Sequence, residues 1–292
     1  MMVPPHVVVG ACTHTGCLRL ANEDDFLLGS DLAVGGRPLL FAGLADGMGG
    51  VAGGAEASRS AVRAVASRVL DHGQTGPASA LLAAGFVAAE QRVFETASTV
   101  PALRDMGTTL TACCFEPGLV SFAHVGDTRL YRCRGGEVEQ LTTDHAMRQP
   151  DNLLTKCIGG GQASCDFDRG SLPTAPGERF VLVSDGVWSV LPPAGFARLC
   201  ERLAPQAAAE ALVAAALAAG GPDNATALVI DIVDAADDAA VEAIELPREE
   251  RPDDRGGWPP AVSLRPPAWP WLLLAASVAV LVHEVWLRLG PG

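Results

Sequence analysis

An α+β fold, in which antiparallel sheets are covered by helices, is the architecture that this 292-residue sequence predicts. Three observations predict it. Apolar strand-like runs lead into carboxylates at Asp46 and Asp185, and a third carboxylate, Asp223, stands just before another such run. A row of short strands over residues 108–141 is punctuated by Gly-containing turns, and Ala-rich helical windows come in pairs on either side of it. Strands in a run and helices in pairs favour antiparallel sheets with covered faces over a βαβ parallel sheet.

The chain opens with strand-like pieces at 7–12 and 26–28 around a polar loop, 19–25, which sets Arg19 beside Glu23, Asp24 and Asp25. Such a run is ordinarily solvated surface, but here the flanking strands hold it near the sheet. Residues 39–45 read as a buried strand that delivers Asp46 to a glycine loop, with five glycines among the eight residues 47–54. Gly47, Gly49 and Gly50 are expected at positive φ, letting backbone carbonyls approach a hard cation. Asp-Gly after apolar residues is also common turn chemistry. The phrase recurs at 179–186 (RFVLVSDG), however, and 222–230 (PDNATALVI) places Asp223 before a further strand. Three acids at strand ends can converge on one sheet edge, and a divalent-metal site is the economical account.

Helices are expected at 55–70, where Ala57, Ala61, Val65 and Val69 repeat at i+4, and at about 77–96. Strands follow at 108–115, 119–125, 128–133 and 137–141, with turns at Pro117-Gly118, Gly126-Asp127 and Gly135-Gly136 spaced as hairpins. A strand at 179–184 carries Asp185; helices at 193–203 and 206–219 and a strand at 225–233 complete a domain spanning 1–234.

Residues 235–267 are an acidic, Pro-rich linker, with eight acids between Asp237 and Asp254 against Arg248 and Arg251. Apolar density returns at 268–289, where Trp269 and Trp271 at one end and Trp286 at the other frame a single C-terminal membrane span. His283 and Glu284 interrupt that span near its far end; a helix docking back onto the domain is the other reading. The catalytic domain is expected on the cytoplasmic side of the inner membrane. Arg255 and Arg265 before the segment, against Arg288 after it, leave orientation weakly marked.

A net charge of −13 without a clustered basic face excludes a nucleic-acid binder. Eight cysteines without a Cys-x-x-Cys pair read as small core residues of a reducing compartment. The N-terminus lacks a basic n-region, and its apolar run is short for a secretory signal.

Taken together, seven motifs in order over residues 9–233 resemble the metal-dependent protein phosphatases of the 2C type. They are GCLRLANED at 16–24, DGMGG at 46–50, GTT at 107–109, VGDTRLY at 125–131, LTTDH at 141–145, SDG at 184–186 and DNAT at 223–226. The resemblance implies a four-layer αββα sandwich and hydrolysis of phosphoserine or phosphothreonine by a water activated between two Mg²⁺ or Mn²⁺ ions. Asp46 would bridge the ions with the Gly47 carbonyl, Asp185 and Asp223 in their shells; Glu23 would act through water, and Asp24 would brace the site. Arg19 matches the phosphate-binding arginine, and Asp127 the aspartate of a third, weaker metal, although Asp127 reads equally as a hairpin-turn residue. A phosphoprotein substrate and a cognate Ser/Thr kinase are the implied partners.

Three departures stand out. Met48 occupies a position where some members carry a histidine proposed as general acid. Only nine residues, 146–154, separate His145 from the segment TKCIG, so the flap beside the cleft is expected to be short or absent. Lys156-Cys157 replaces Arg-Ala. Two other functions share these residues: a phosphatase-like binding module without turnover, and a hydrolase of small phosphoesters.

Overall fold

The computed structural model describes residues 3–33, 37–71, 76–147, 153–161 and 166–234. In chain order the first half comprises β1 (Val7–His14), β2 (Asp24–Ala33), β3 (Arg37–Met48), α1 (Val51–Val69), α2 (Ala78–Thr99), β4 (Gly107–Thr108), β5 (Leu110–Glu116) and β6 (Leu119–Val125). The second comprises β7 (Arg129–Arg134), β8 (Glu137–Gln140), β9 (Ala146–Met147), β10 (Leu153–Leu154), β11 (Ile158–Gly159), β12 (Asp168–Pro173) and β13 (Arg179–Val183). The last elements are α3 (Asp185–Trp188), α4 (Pro193–Arg202), α5 (Pro205–Ala218) and β14 (Ala225–Ile232).

Among the described residues two large antiparallel sheets form, beside the two-stranded β9–β10 pair. One runs β1-β14-β13-β7-β8; the other runs β11-β4-β3-β5-β6-β12, with β2 also paired to β3. Strand alternation then sorts the side chains into layers. Along β3, Leu40, Ala42 and Leu44 enter the layer between the sheets, where they meet Phe115, Phe180, Leu182, Leu228 and Ile230. The alternate residues Leu39, Phe41 and Ala45 pack under α1 and α2 against Ala57, Ala61, Val65 and Phe86. On the far side, Val181, Val183, Ala227 and Val229 face the second helical layer through Val187, Phe196, Leu212 and Val213. The result is the four-layer αββα sandwich. Each wholly buried Leu or Phe contributes about 1.5–3 kcal/mol, so both faces of β3 help hold the layers together.

Several expectations need correction. The strands over 108–141 do not form one meander: β5 and β6 belong to one sheet, β7 and β8 to the other. Gly126-Asp127 is therefore the link between sheets and not a hairpin turn. The glycine loop shrinks to Gly49-Gly50, because β3 continues through Gly47 and α1 already begins at Val51. Gly49 and Gly50 do take positive φ (110° and 82°); Gly47 does not. Gly47 is glycine for space instead, since a Cβ there would lie 2.1 Å from the Gly54 carbonyl oxygen. Strand β12 (DRGSLP) escaped notice because it is a polar edge strand whose side chains are mostly exposed. At the expected flap, the described residues pair β9 with β10 antiparallel, Leu153 opposite Met147 and Leu154 opposite Ala146.

The 268–289 span and the 235–267 linker lie outside the described residues. Among the described residues, no helix is long and apolar enough to cross a membrane.

At one end of the sandwich the inward-facing positions change from apolar to polar. Leu44 gives way to Asp46, Phe26 to Asp24, Leu182 to Ser184, Leu228 to Thr226 and Ala11 to Thr13. The same alternation that fills the inter-sheet layer thus lines its mouth with oxygen atoms.

Candidate metal centre

Every acid singled out in the sequence lies at that mouth or beside it. Asp24 and Asp46 are register partners across β2 and β3. From the opposite sheet, Asp185 opens α3 directly after β13, and Asp223 stands two residues before β14. Asp127 occupies the link that enters β7, whose Arg129 pairs with Val183 at the end of β13. Glu23 immediately precedes Asp24, and Arg19 reaches across from the same loop, its Nη2 donating to Asp223 Oδ2 at 2.6 Å.

A hydroxyl and amide scaffold fixes these groups. Asp24 Oδ2 accepts from Ser184 Oγ at 2.7 Å and Thr226 Oγ1 at 2.6 Å, a bridge between the two sheets. The Asp46 backbone is pinned on both sides: its N–H donates to Thr109 Oγ1 (3.0 Å), and its carbonyl accepts from Thr108 Oγ1 (2.9 Å) and the Thr109 N–H (2.9 Å). Asn224 holds the loop that carries Arg19 and Glu23. Its Nδ2 donates to the Thr15 and Ala21 carbonyls (2.7 and 2.9 Å), while its Oδ1 accepts from the Glu23 N–H at 2.8 Å. The Asp127 carbonyl accepts from Trp188 Nε1 at 2.9 Å. Arg129 lies 3.4 Å over the Trp188 ring and forks onto Asp144 at 2.9 and 2.7 Å, bracing the inter-sheet link. Sequence reasoning quoted Thr108, Thr109, Ser184, Asn224 and Thr226 within motifs but gave them no role. Their signal was position: Ser184, Asn224 and Thr226 stand within three residues of Asp185 or Asp223, and Thr108 lies opposite Gly47, next to Asp46.

Crowded carboxylates resist ionisation. Burial first, then Asp24, Asp185, Asp127 and Asp223, push the Asp46 carboxyl well above its ordinary range. Burial likewise lifts Asp24 to about 7, and lifts Asp127 to about 7 with help from Asp185. Asp185 is raised by burial and Asp223, and Glu23 by burial. Asp46 and Asp185 act on each other, Asp185 raising the Asp46 carboxyl while Asp46 holds Asp185 down, a coupling that a shared proton or a cation would relieve. Asp24 Oδ1 and Asp185 Oδ1 are sealed from solvent without a hydrogen-bond partner. Two orphaned oxygens and a carboxyl pair, all hard donors, fit a divalent cation of the Mg²⁺ or Mn²⁺ kind. Among the described residues no three His, Cys, Asp or Glu side chains gather closely enough to hold an ion by themselves. That suits a small hard cation, which is held by one or two carboxylates and keeps several waters.

A pH dependence follows. Carboxyls whose folded pKa is raised contribute stability that is complete below their unfolded value, about 4, and is lost as pH rises through the folded value. With Asp24 and Asp127 near 7, metal-free protein should lose stability between about pH 4 and 7. The thermal midpoint gained on adding Mn²⁺ should therefore be larger at about pH 7.5 than at about pH 5. Equal gains at both values, measured by calorimetry, would contradict the mutual repulsion described here.

Residues 19–219 match the family described as protein phosphatase 2C. The serine/threonine protein phosphatase PstP of Mycobacterium tuberculosis is 32% identical over 239 residues, covering 75% of this chain. This chain spans 44% of the length of that relative. Protein phosphatase PhpP of Streptococcus pneumoniae is 27% identical over 244 residues, covering 77% of this chain and 97% of its own. Among solved structures, the catalytic domain of PstP in complex with two manganese ions superposes with a TM-score of 0.68 at 30% identity, over 78% of this chain and 99% of that one. PppA of Pseudomonas aeruginosa gives 0.68 at 27% identity, over 78% and 98%. With the layers, the inter-sheet mouth and the sequence match in agreement, the chain belongs to the protein phosphatase 2C family.

Proposed function

We propose that the chain is a divalent-metal-dependent phosphatase acting on phosphoserine and phosphothreonine in proteins. The observation that carries this reading is the convergence of acids from both sheets on one mouth, with Arg19 at its rim. Asp46, Gly47, Asp185 and Asp223, with Glu23 acting through water, would hold two Mg²⁺ or Mn²⁺ ions, and Asp127 a third, weaker one. Bound there, such ions supply charge neutralisation for a phosphate dianion and acidify a water.

The chain's own groups do the positioning. Asp24, locked by Ser184 and Thr226, braces Asp46 from the neighbouring strand. Arg19 is half exposed and uses one nitrogen on Asp223, which leaves further donors of its planar fork for phosphoryl oxygens. Met48 offers no proton, so the leaving alcohol takes its proton from another source. With the short flap that the nine residues 146–154 imply, selectivity rests on the rim residues around Arg19.

The test is phosphate release from a phosphothreonine peptide with Mn²⁺ or Mg²⁺. Arg19→Ala should raise KM for the peptide by about ten-fold or more, the worth of a charge-assisted fork. Metal binding without turnover would favour a binding module, and turnover of p-nitrophenyl phosphate alone a small-phosphoester hydrolase.

Residues 268–289 we read as a membrane anchor that keeps the domain on the cytoplasmic side, where it opposes a Ser/Thr kinase. The apolar segment framed by tryptophans supports this. A chain truncated after Asp234 is expected in the soluble fraction with activity intact. Its retention on membranes would refute the anchor.

A further inference from the structure

A second reactive cluster lies at the opposite end of the first sheet. There α4 crosses β7 in two rungs. The Tyr131 and Phe196 rings sit 4.8 Å apart. Two residues along the strand is Cys133, and four along the helix is Cys200; both steps return to the same face. The second rung is accordingly a pair of thiols in one core cluster, Cys200 buried within it and Cys133 packed against it. Arg179, the register partner of Cys133, fixes the helix end by donating to the carbonyls of Cys200 (2.6 Å) and Leu203 (2.7 Å). A cavity of about 560 Å³ is lined by both cysteines together with Arg134, Glu137, Arg179 and Asp231.

We propose that Cys133 and Cys200 are a hydroperoxide-responsive dithiol that closes reversibly into an intrachain disulfide stapling α4 to β7. The two thiols are electronically unequal. The neighbouring Cys200 thiol, seconded by Arg179, lowers the Cys133 pKa against burial and Asp231, whereas Cys133 and burial drive Cys200 up so that it keeps its proton. The remaining described thiols lack this arrangement. Cys113 and Cys114 are buried on opposite faces of β5 and pushed upward, and burial lifts Cys12 and Cys157 to about 11.

In the first step the Cys133 thiolate attacks one oxygen of a hydroperoxide. An S–O bond forms, the O–O bond breaks, sulfur is oxidised to the sulfenic acid, and the other oxygen leaves as water or alcohol after protonation. The Cys200 sulfur then attacks Cys133: the S–S bond forms, the S–O bond breaks, and water departs with the proton of Cys200. A dithiol reductant reverses the closure by exchange.

The test treats full-length protein with hydrogen peroxide, followed by alkylation and peptide mapping. Expected is a crosslinked peptide pair containing Cys133 and Cys200, a fall from eight to six alkylatable thiols, and recovery with dithiothreitol. In Cys200→Ser, a dimedone adduct should appear at Cys133. The proposal is overturned if both thiols stay alkylatable while others oxidise, if Cys133 pairs with a different cysteine, or if it proceeds to the sulfinic acid with Cys200 free. Wild-type mapping decides the matter even if the variant folds poorly.

Discussion

Asp46→Asn should lower phosphate release from a phosphothreonine peptide by about 10³-fold, because removing one preorganised charge partner from such a site costs roughly 4 kcal/mol of transition-state stabilisation. The same change should make the metal-free protein more stable. Burial first, and then Asp24, Asp185, Asp127 and Asp223, all raise the Asp46 pKa. An amide of the same shape removes one member of that repulsion. Activity loss joined to a higher thermal midpoint in chelator is the signature of an acid kept for function. A lower midpoint would instead mean that Asp46 stabilises the fold.

Gly186→Ala is the second large effect, and it acts through space. A Cβ at 186 would lie 2.0 Å from the Asn224 carbonyl oxygen, a backbone atom with no rotamer to escape by. Either α3 with Asp185 or the strand entry with Asp223 must shift, and Asn224 carries the Arg19–Glu23 loop with it. The expected cost is about 3 kcal/mol, read as a midpoint lower by roughly 6–12 °C, with loss of activity at temperatures where the protein remains folded. Gly195→Ala on α4 is the control: its Cβ would meet Pro192 at an ordinary 3.5 Å, so the midpoint should hardly move. Similar midpoints for the two variants would show that the contact at 186 relaxes easily.

Much of this was legible in the sequence because periodicity and punctuation act locally. The i+4 repeat through Ala57, Ala61 and Val65 marks α1, and β6 falls on the expected 119–125. The acids were legible because Asp-Gly after a buried run is a compact phrase. Sheet membership was not, because Gly126-Asp127 resembles a hairpin turn and only long-range packing reveals that the chain changes sheets there. Asn224 and Ser184 were opaque for a related reason. Their partners, Thr15, Ala21 and Glu23 for one and Asp24 for the other, lie some 160 to 209 positions away.

Because Leu40, Ala42, Leu44 and Asp46 share one side of β3, with Leu39, Phe41 and Ala45 on the other, chemistry and core share a reading frame. Deleting any single residue between Leu40 and Asp46 would turn the acid toward the helices and send a different half of the strand inward. Insertions and deletions should therefore be tolerated in the surface connections and excluded from this segment, so drift in length here would forfeit folding and catalysis in one event.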